Sequence, residues 1–449
     1  MPHLETVVGS GGRNVITPSR NAAASVLADL RAGALLDAAT ERACATLDAR
    51  DRRWLQELVF GTLRRRAWLD AVLDSRVRGG LRRLDAGVAD LMRMGTQQLL
   101  FMSSVPAYAA IAQTVEQVKA LRGEGAGKLA NAVLRRIDRE RETIEPAEPA
   151  DPLDALALVL SHPRWLVARW VARWGAERTR ALLEANNREA HTILRPMGVV
   201  REQLEAMLDA AGVRATEPPL APDSLTIPHG VSLTALGAFQ QGQCFVQDPA
   251  ATTVVRYAAV PAHSTVADLC AAPGGKAFEL ARNARLVVAC DGSAARLERV
   301  CDSVRRLDLA NVLAVVADAR FPAVAPVDAV LLDAPCTGTG TFRRHPDARW
   351  RLVPEDLAVM GAVQRALFRA AANVVAPGGL LVYSTCSLEQ EENDAQVETF
   401  LAEQPGFTLE PPPAGAVPDS VLDAGRLRIL PHVHGTDGAF AARFRRRSA

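Results

Sequence analysis

The sequence predicts a three-part chain: an all-α region, a small α+β segment, and a doubly wound α/β domain built on a parallel sheet. Three observations predict it. Residues 19–141 carry apolar residues at helical spacing, one run after another. The stretch ETIEPAEPADP then interrupts the pattern with prolines and acids. From about residue 241, short apolar runs alternate with helical patterns, which is the signature of strands joined by helical crossovers. The boundaries read as 19–145, 146–240 and 241–449. A chain of 449 residues with 49% hydrophobic content has enough apolar surface for cores in each part.

In the first part, SRNAAASVLADLRAG offers Ser19 as a helix N-cap and Gly33 as a stop. RDRRWLQELVFGTLRRRAWLDAVLDSRV places Trp54, Leu55, Leu58, Val59 and Leu63 on one helical face, and VADLMRMGTQQLLFMSS, AYAAIAQTVEQVKAL and GKLANAVLRRIDRER continue the bundle. Net charge is +1, so no global field marks a nucleic-acid binder. Residues 1–145 nevertheless hold 22 basic against 17 acidic side chains, with clusters at RRWL, TLRRRAW and RGGLRR. Such a distribution suits phosphate contacts and equally suits solvated helix faces.

The middle segment mixes helices with short strands at HTILRPMGVV and DSLTIPHG. Trp165, Trp170 and Trp174 form a helical stripe that reads first as core, with base stacking as the functional alternative. In the third part the expected strands are TVADLC, RLVVACD, VLAVVAD, VDAVLLD and GGLLVYSTC, with a long helix from Pro354 before the last.

Ligands of doubly wound sheets bind beyond the carboxyl ends of the strands, and the unusual residues lie there. Asp268, Asp291, Asp318 and Asp333 sit in or at the ends of four successive strands. One such acid can simply cap the next helix. Four at one edge suit a ligand with several hydroxyls and amines, and an acid ending the second strand is where a ribose is held. The loop Cys270, Ala271, Ala272, Pro273, Gly274, Gly275, Lys276 lacks both the dinucleotide and the Walker glycine pattern. With little to cradle a pyrophosphate, it fits a nucleoside cofactor such as S-adenosylmethionine better than NAD or ATP. Lys276 is one of only three lysines, the others being Lys119 and Lys128, in a chain with 49 arginines. A compact ammonium in that loop does what a guanidinium cannot, unless it is a chance survivor.

Seven cysteines, at 44, 244, 270, 290, 301, 336 and 386, contain no C-x-x-C pair, so neither a disulfide framework nor a structural zinc site is expected. The stretch MPHLETVVGSGGRN has no signal-peptide pattern and no apolar run reaches membrane-spanning length, so a cytoplasmic protein, monomeric and without membrane or metal, is expected. Cys336 and Cys386 follow neighbouring strand ends and should approach each other across the pocket. Buried filler thiols, or a metal pair completed by His345, are the other readings. Carbon 5 of a pyrimidine is too poor a nucleophile to attack a sulfonium methyl. Thiolate addition at carbon 6 makes it enamine-like, and a base must later remove the carbon 5 proton.

DLCAAPGGK, LLDAPCTGTGTFRRHPDARW and LLVYSTCSLEQEEN closely resemble the RNA (cytosine-carbon-5) methyltransferases of the Nol1/Nop2/Sun family, in its bacterial Sun/Fmu branch acting on small-subunit ribosomal RNA. GTQQLLFM and KLANAVLRRI resemble the branch's NusB-type RNA-binding domain, and LRILPHVHGTDGAFAARFRR its last strands, so the resemblance covers nearly the whole chain. It implies a NusB-like helical domain, a small α+β RNA-contacting segment and a Rossmann-like methyltransferase domain using S-adenosylmethionine. It implies that Cys386 is the nucleophile and that Cys336 helps release the methylated RNA. Cys270 to Lys276 with Asp291, Asp318 and Asp333 would form the cofactor site, and Asp333 would also face the cytosine. The chain departs from the family pattern at Ala277, at Pro196 to Gly198, and at the DGAF of 437–440. A transfer RNA substrate, or a non-catalytic RNA-binding assembly factor, are the rival readings.

Overall fold

A computed structural model describes residues 16–448. The N-terminal stretch MPHLETVVGSGGRN, read from the sequence as having no signal-peptide pattern, lies outside them. The chain forms two compact units that divide at Ala176. Helices Pro152–Val159 and Arg164–Trp174, assigned from the sequence to the middle segment, belong to the first unit.

The first unit is helical throughout its described residues. Its first helix, Pro18–Arg31, starts two residues earlier than expected: Thr17 occupies the N-cap position, Pro18 supplies a preset φ, and Ser19 is buried inside the first turn rather than capping it. Asp48 and Asp85 are true caps, accepting from the amides of Asp51 and Gly87 at 2.8 and 2.9 Å. The arginine-rich run read as one helix is two, Ala49–Arg64 and Arg66–Asp74, broken at Arg65. Gly123, at φ 80°, breaks the stretch Ala107–Glu140. Leu55, Leu58 and Val59 are fully buried, as their spacing requires. Trp170 is fully buried too, which is the core reading for that residue, whereas Trp165 and Trp174 of the same stripe are half-buried, Trp174 lying 6.4 Å from Trp170 between ring centroids.

The second unit carries twelve described strands: β1 Thr192–Pro196, β2 Leu225–Ile227, β3 Cys244–Val246, β4 Thr265–Asp268, β5 Leu286–Asp291, β6 Val312–Val316, β7 Val327–Asp333, β8 Val375–Thr385, β9 Phe407–Leu409, β10 Leu422–Asp423, β11 Arg426–Ile429 and β12 Ala439–Arg446. A small antiparallel sheet runs β2-β1-β3. The large sheet runs β10-β11-β12-β8-β7-β4-β5-β6, with β9 on β12. Its β8-β7-β4-β5-β6 part is parallel. The hydrophobic runs of these strands bury both faces, Val330, Leu332 and Leu381 under one set of helices and Val266, Val287 and Leu331 under the other.

The chain proceeds outward from β4 through β5 to β6, then returns to the other side of β4 as β7 and β8. The strand order therefore reverses between β4 and β7, and a crevice opens at their carboxyl ends.

Candidate active site

The register Asp333↔Ser384 between β7 and β8 brings their ends level, so the loops that follow start side by side. Cys336 lies three residues beyond β7 and Cys386 is the first residue beyond β8. Their Sγ atoms are 3.2 Å apart. Two glycines permit this closeness. The Gly340 amide donates to the Cys386 carbonyl at 2.9 Å, and the Gly438 amide donates to the Gly340 carbonyl at 2.8 Å. Any Cβ on Gly340 would lie 2.6 Å from the Cys386 oxygen and 2.8 Å from Gly438 Cα. Three backbone segments thus cross where side chains would keep them apart, which accounts for Gly340 and Gly438.

Electrostatics distinguish Cys336 in the thiol pair. The hydrogen bond to Cys386 first, then burial, then the charges of Cys386 and Glu392 push the Cys336 thiol well up, so it keeps its proton while Cys386 is its neighbour. Lys276 Nζ donates to Asp333 Oδ2 at 2.6 Å, and Ser384 Oγ donates to Asp333 Oδ1 at 2.7 Å. Burial favours a neutral Lys276, but the Asp333 carboxylate, with Cys386 and Asp268, outweighs it and holds the ammonium above its ordinary value. Lys276, Asp333 and Cys386 line one pocket, with Asp248, Thr341, Thr385 and Asp437 among its other walls.

The remaining acids have three different environments. Asp291 is buried; it accepts from the amides of Ser293 at 2.9 Å and Ala272 at 3.3 Å, with Arg296 3.3 Å away. Asp268 is fully buried, and neither of its oxygens has a hydrogen-bond partner in good geometry among the described residues. Burial first, then the Asp333 charge, push it up to about 7, against the pull of Lys276 and the Cys270 amide. Asp318 does not end a strand as expected: β6 stops at Val316, and Asp318 pairs with the exposed Arg320 at 2.6 Å, which lowers its proton affinity. It is not among the residues lining the thiol pocket.

The loop from Cys270 to Gly275 wraps the end of β4. Ala271 N–H donates to the Cys290 carbonyl at 2.8 Å and Gly274 N–H to the Ala271 carbonyl at 2.7 Å, with Ala272 and Pro273 forming the turn between them. Gly274, at φ 109°, precedes helix Gly275–Ala281, and a Cβ there would strike the Phe278 ring. Ala277, one of the positions read as a departure, is fully buried in that helix. Cys270 is partly buried, and burial with the surrounding acids raises its proton affinity. Cys44, Cys244 and Cys290 are buried, and Cys301 is partly buried. No group of three His, Cys, Asp or Glu able to hold a metal comes together among the described residues. No helix among them is long and apolar enough to cross a membrane.

Sequence reasoning missed two parts of the site. Asp248 and Asp437, in the pocket wall, form a buried network with Arg343 and Arg344, with contacts of 2.5 to 2.7 Å. Glu392 ties the two cysteine loops together, and Asn393 holds the Cys386 loop. EQEEN contains three glutamates, and spacing on a loop does not say which one turns inward. Arg195, in the RPM departure, is taken up internally: it makes two bonds to Glu279, at 3.0 and 2.6 Å, and pairs with Asp223.

Residues 258–445 match the family of 16S rRNA methyltransferase RsmB/F, residues 17–139 the NusB family, and residues 162–234 the ferredoxin-like domain of RsmF/B-like methyltransferases. The chain is 34% identical to ribosomal RNA small subunit methyltransferase B of Vibrio cholerae, covering 94% of this chain and 96% of that one. Against the protein of the same name from Xylella fastidiosa (strain Temecula1) it is 36% identical over 88% and 90%. The crystal structure of the protein PH0851 superposes with a TM-score of 0.80 at 27% identity, covering 96% of this chain and 99% of that one. A methyltransferase homolog protein from Pyrococcus horikoshii gives 0.56 at 27% identity over 66% and 99%.

Proposed function

This chain belongs to the 16S rRNA methyltransferase RsmB/F family, and from that premise we propose that it methylates carbon 5 of a cytosine in small-subunit ribosomal RNA. Cys386 would bond covalently to carbon 6 of the base, and S-adenosylmethionine would be the methyl donor. The observation that carries the reading is Cys386, which lines a pocket with the Lys276–Asp333 ion pair and has the Cys336 thiol 3.2 Å away. A scaffold that only bound RNA has no use for such a pair, which speaks against the assembly-factor reading. A transfer RNA substrate is disfavoured by the relatives, which are named for small-subunit ribosomal RNA. Such a substrate places the activity in the cytoplasm.

The donor set fits the cofactor. Asp268 is a buried carboxyl group with no well-aligned hydrogen bond, and Asp291 offers acceptors beside the loop of Ala271 to Gly275, so a ligand carrying an ammonium and vicinal hydroxyls answers both. Asp318 would reach the same ligand only by leaving Arg320. When bound, S-adenosylmethionine supplies an electrophilic methyl group.

The chain's own residues do the rest. The target base must leave its stack to admit a sulfur to carbon 6. Lys276 and the Cys336 S–H flank Cys386, where they stabilise negative charge on its sulfur. Forming the carbon–sulfur bond turns Cys386 into a neutral thioether, a poor acceptor, and so weakens the hydrogen bond that is the first cause of the high Cys336 proton affinity. Cys336 can then lose its proton to solvent and take the one on carbon 5. The electrons of that C–H bond form the carbon 5–carbon 6 double bond, and Cys386 leaves as a thiolate.

The test is denaturing electrophoresis after incubation with unmodified 16S RNA and S-adenosylmethionine. Cys336→Ala should give a slow RNA–protein band, because elimination stalls, whereas Cys386→Ala should give neither band nor methylation. A band from Cys386→Ala reverses the roles. Full activity in both variants refutes the covalent mechanism.

A further inference from the structure

The side chain of Glu392 is fully enclosed and accepts four hydrogen bonds. The Thr337 amide donates to Oε1 at 2.9 Å and Gln364 Nε2 donates to the same oxygen at 2.9 Å. The hydroxyls of Thr337 and Ser387 both donate to Oε2. Thr337 directly follows Cys336, and Ser387 directly follows Cys386. One carboxyl group therefore grips the residue after each thiol, and Gln364 anchors it to the long helix Glu355–Asn373 while also donating to the Pro335 carbonyl at 3.0 Å.

The neighbouring Asn393 extends the same arrangement on the Cys386 side alone. It accepts from Thr385 Oγ1 at 2.6 Å and donates to the Ser387 carbonyl at 2.8 Å. Thr385 and Ser387 flank Cys386, so that loop has two attachments. The Cys336 loop depends more on Glu392, since its Thr337 makes both an amide and a hydroxyl bond to that residue. A carboxyl group that accepts four bonds has used all its lone-pair directions, and the loops cannot shift independently without losing some of them.

We propose that Glu392 is a positioning residue that fixes the separation of Cys336 and Cys386 by bonding the residue after each. It touches neither base nor cofactor and acts through the two loops. Its importance to methyl transfer rests on the function proposed above, but the fixed thiol separation does not. The reach of the side chain is what matters: Glu392→Asp keeps the acid but withdraws it by one carbon–carbon bond, roughly 1.5 Å. Glu392→Gln keeps the reach. Its amide oxygen still accepts from the Thr337 amide and Gln364, and its NH2 donates to the two hydroxyls, which then act as acceptors.

The experiment measures thiol proximity and catalysis separately on the full chain. Diamide oxidises two adjacent thiols to a disulfide and is itself reduced to the hydrazine. The rate of the Cys336–Cys386 bond is followed by mass spectrometry of the linked peptides. Glu392→Asp should form it about tenfold more slowly than the parent, and its kcat should fall by about a hundredfold, as expected for a misplacement near 1 Å, with cofactor affinity unchanged. Glu392→Gln should retain the parental cross-linking rate and most of kcat. Parental cross-linking in Glu392→Asp overturns the proposal, and so does a Glu392→Gln as slow as Glu392→Asp. A parent that cross-links rapidly yet never methylates RNA would instead sink the proposed function and leave the positioning role standing.

Discussion

Substituting Gly340 tests the crossing of backbones behind Cys386. Gly340 is not among the glycines with positive φ, so alanine suits its backbone conformation and the whole effect must be steric. The new methyl would sit 2.6 Å from the Cys386 carbonyl oxygen, 2.8 Å from Gly438 Cα and 3.1 Å from the Gly438 carbonyl carbon. All three are backbone atoms, with no side-chain torsion to relieve the clash. Carbon contacts relax near 3.5 Å, so the segments must separate by roughly 0.7 Å or more. Overpacking of this kind costs about 1–3 kcal/mol, or several degrees of Tm. A shift approaching 1 Å in the nucleophile loop should lower kcat about a hundredfold. Gly406→Ala is the control, since nothing lies within 4 Å of its Cβ and its φ is ordinary. Thermal melts and single-turnover methylation of 16S RNA give both quantities. If Gly340→Ala matches the Gly406→Ala control in kcat, the crossing does not set the position of Cys386.

Asp291→Ala should weaken binding of S-adenosylmethionine by roughly 10- to 100-fold in calorimetry, the effect of losing hydrogen bonds to a charged acceptor; parental affinity would refute its assignment to the cofactor. Lys276→Arg replaces a compact ammonium 2.6 Å from Asp333 with a wider fork, so methylation should fall about a hundredfold in a folded protein. An active Lys276→Arg would mean that only positive charge is needed there.

What the sequence made legible follows from what its physics repeats. Parallel strands buried on both faces read as continuous apolar runs, so β4, β5, β7 and β8 could be found, and with them the level strand ends that bring Cys336 and Cys386 together. Capping did not read as well, because Thr17, Pro18 and Ser19 are all plausible helix starters and Pro18 decides among them only through its fixed φ. Asp318 looked equivalent to the other acids, yet it lies two residues past its strand with Arg320 beside it, and no periodicity records that offset. Glu392 and the Asp248–Asp437 network escaped because their partners are distant in sequence: Thr337 is 55 residues from Glu392, and Asp437 is 189 from Asp248. Local pattern carries no information about such pairings.

The four acids that look alike in the sequence differ in what already neutralises them, and this singles out Asp268. Asp333 has Lys276, Asp291 has amides, and Asp318 has Arg320, whereas at Asp268 burial outweighs the pull of Lys276 and the Cys270 amide and pushes it up to about 7. Because its folded value lies above the unfolded one, its contribution to stability is fully present below about pH 4 and is lost as pH rises toward 7. The loss is about 1.4 kcal/mol per unit. Urea titrations of Asp268→Asn should therefore show a stability advantage over the parent that grows from pH 4 to 7 and then levels off. Ligand binding should run the other way. A cationic group docking beside Asp268 requires its ionised form, so cofactor affinity in the parent should fall up to tenfold per unit as pH drops below 7, with proton release measurable in buffers of different ionisation enthalpy. Asp268→Asn should bind more weakly and with no such slope. A parent that binds S-adenosylmethionine without releasing a proton at pH 6.5 would show that the cofactor's ammonium does not meet Asp268.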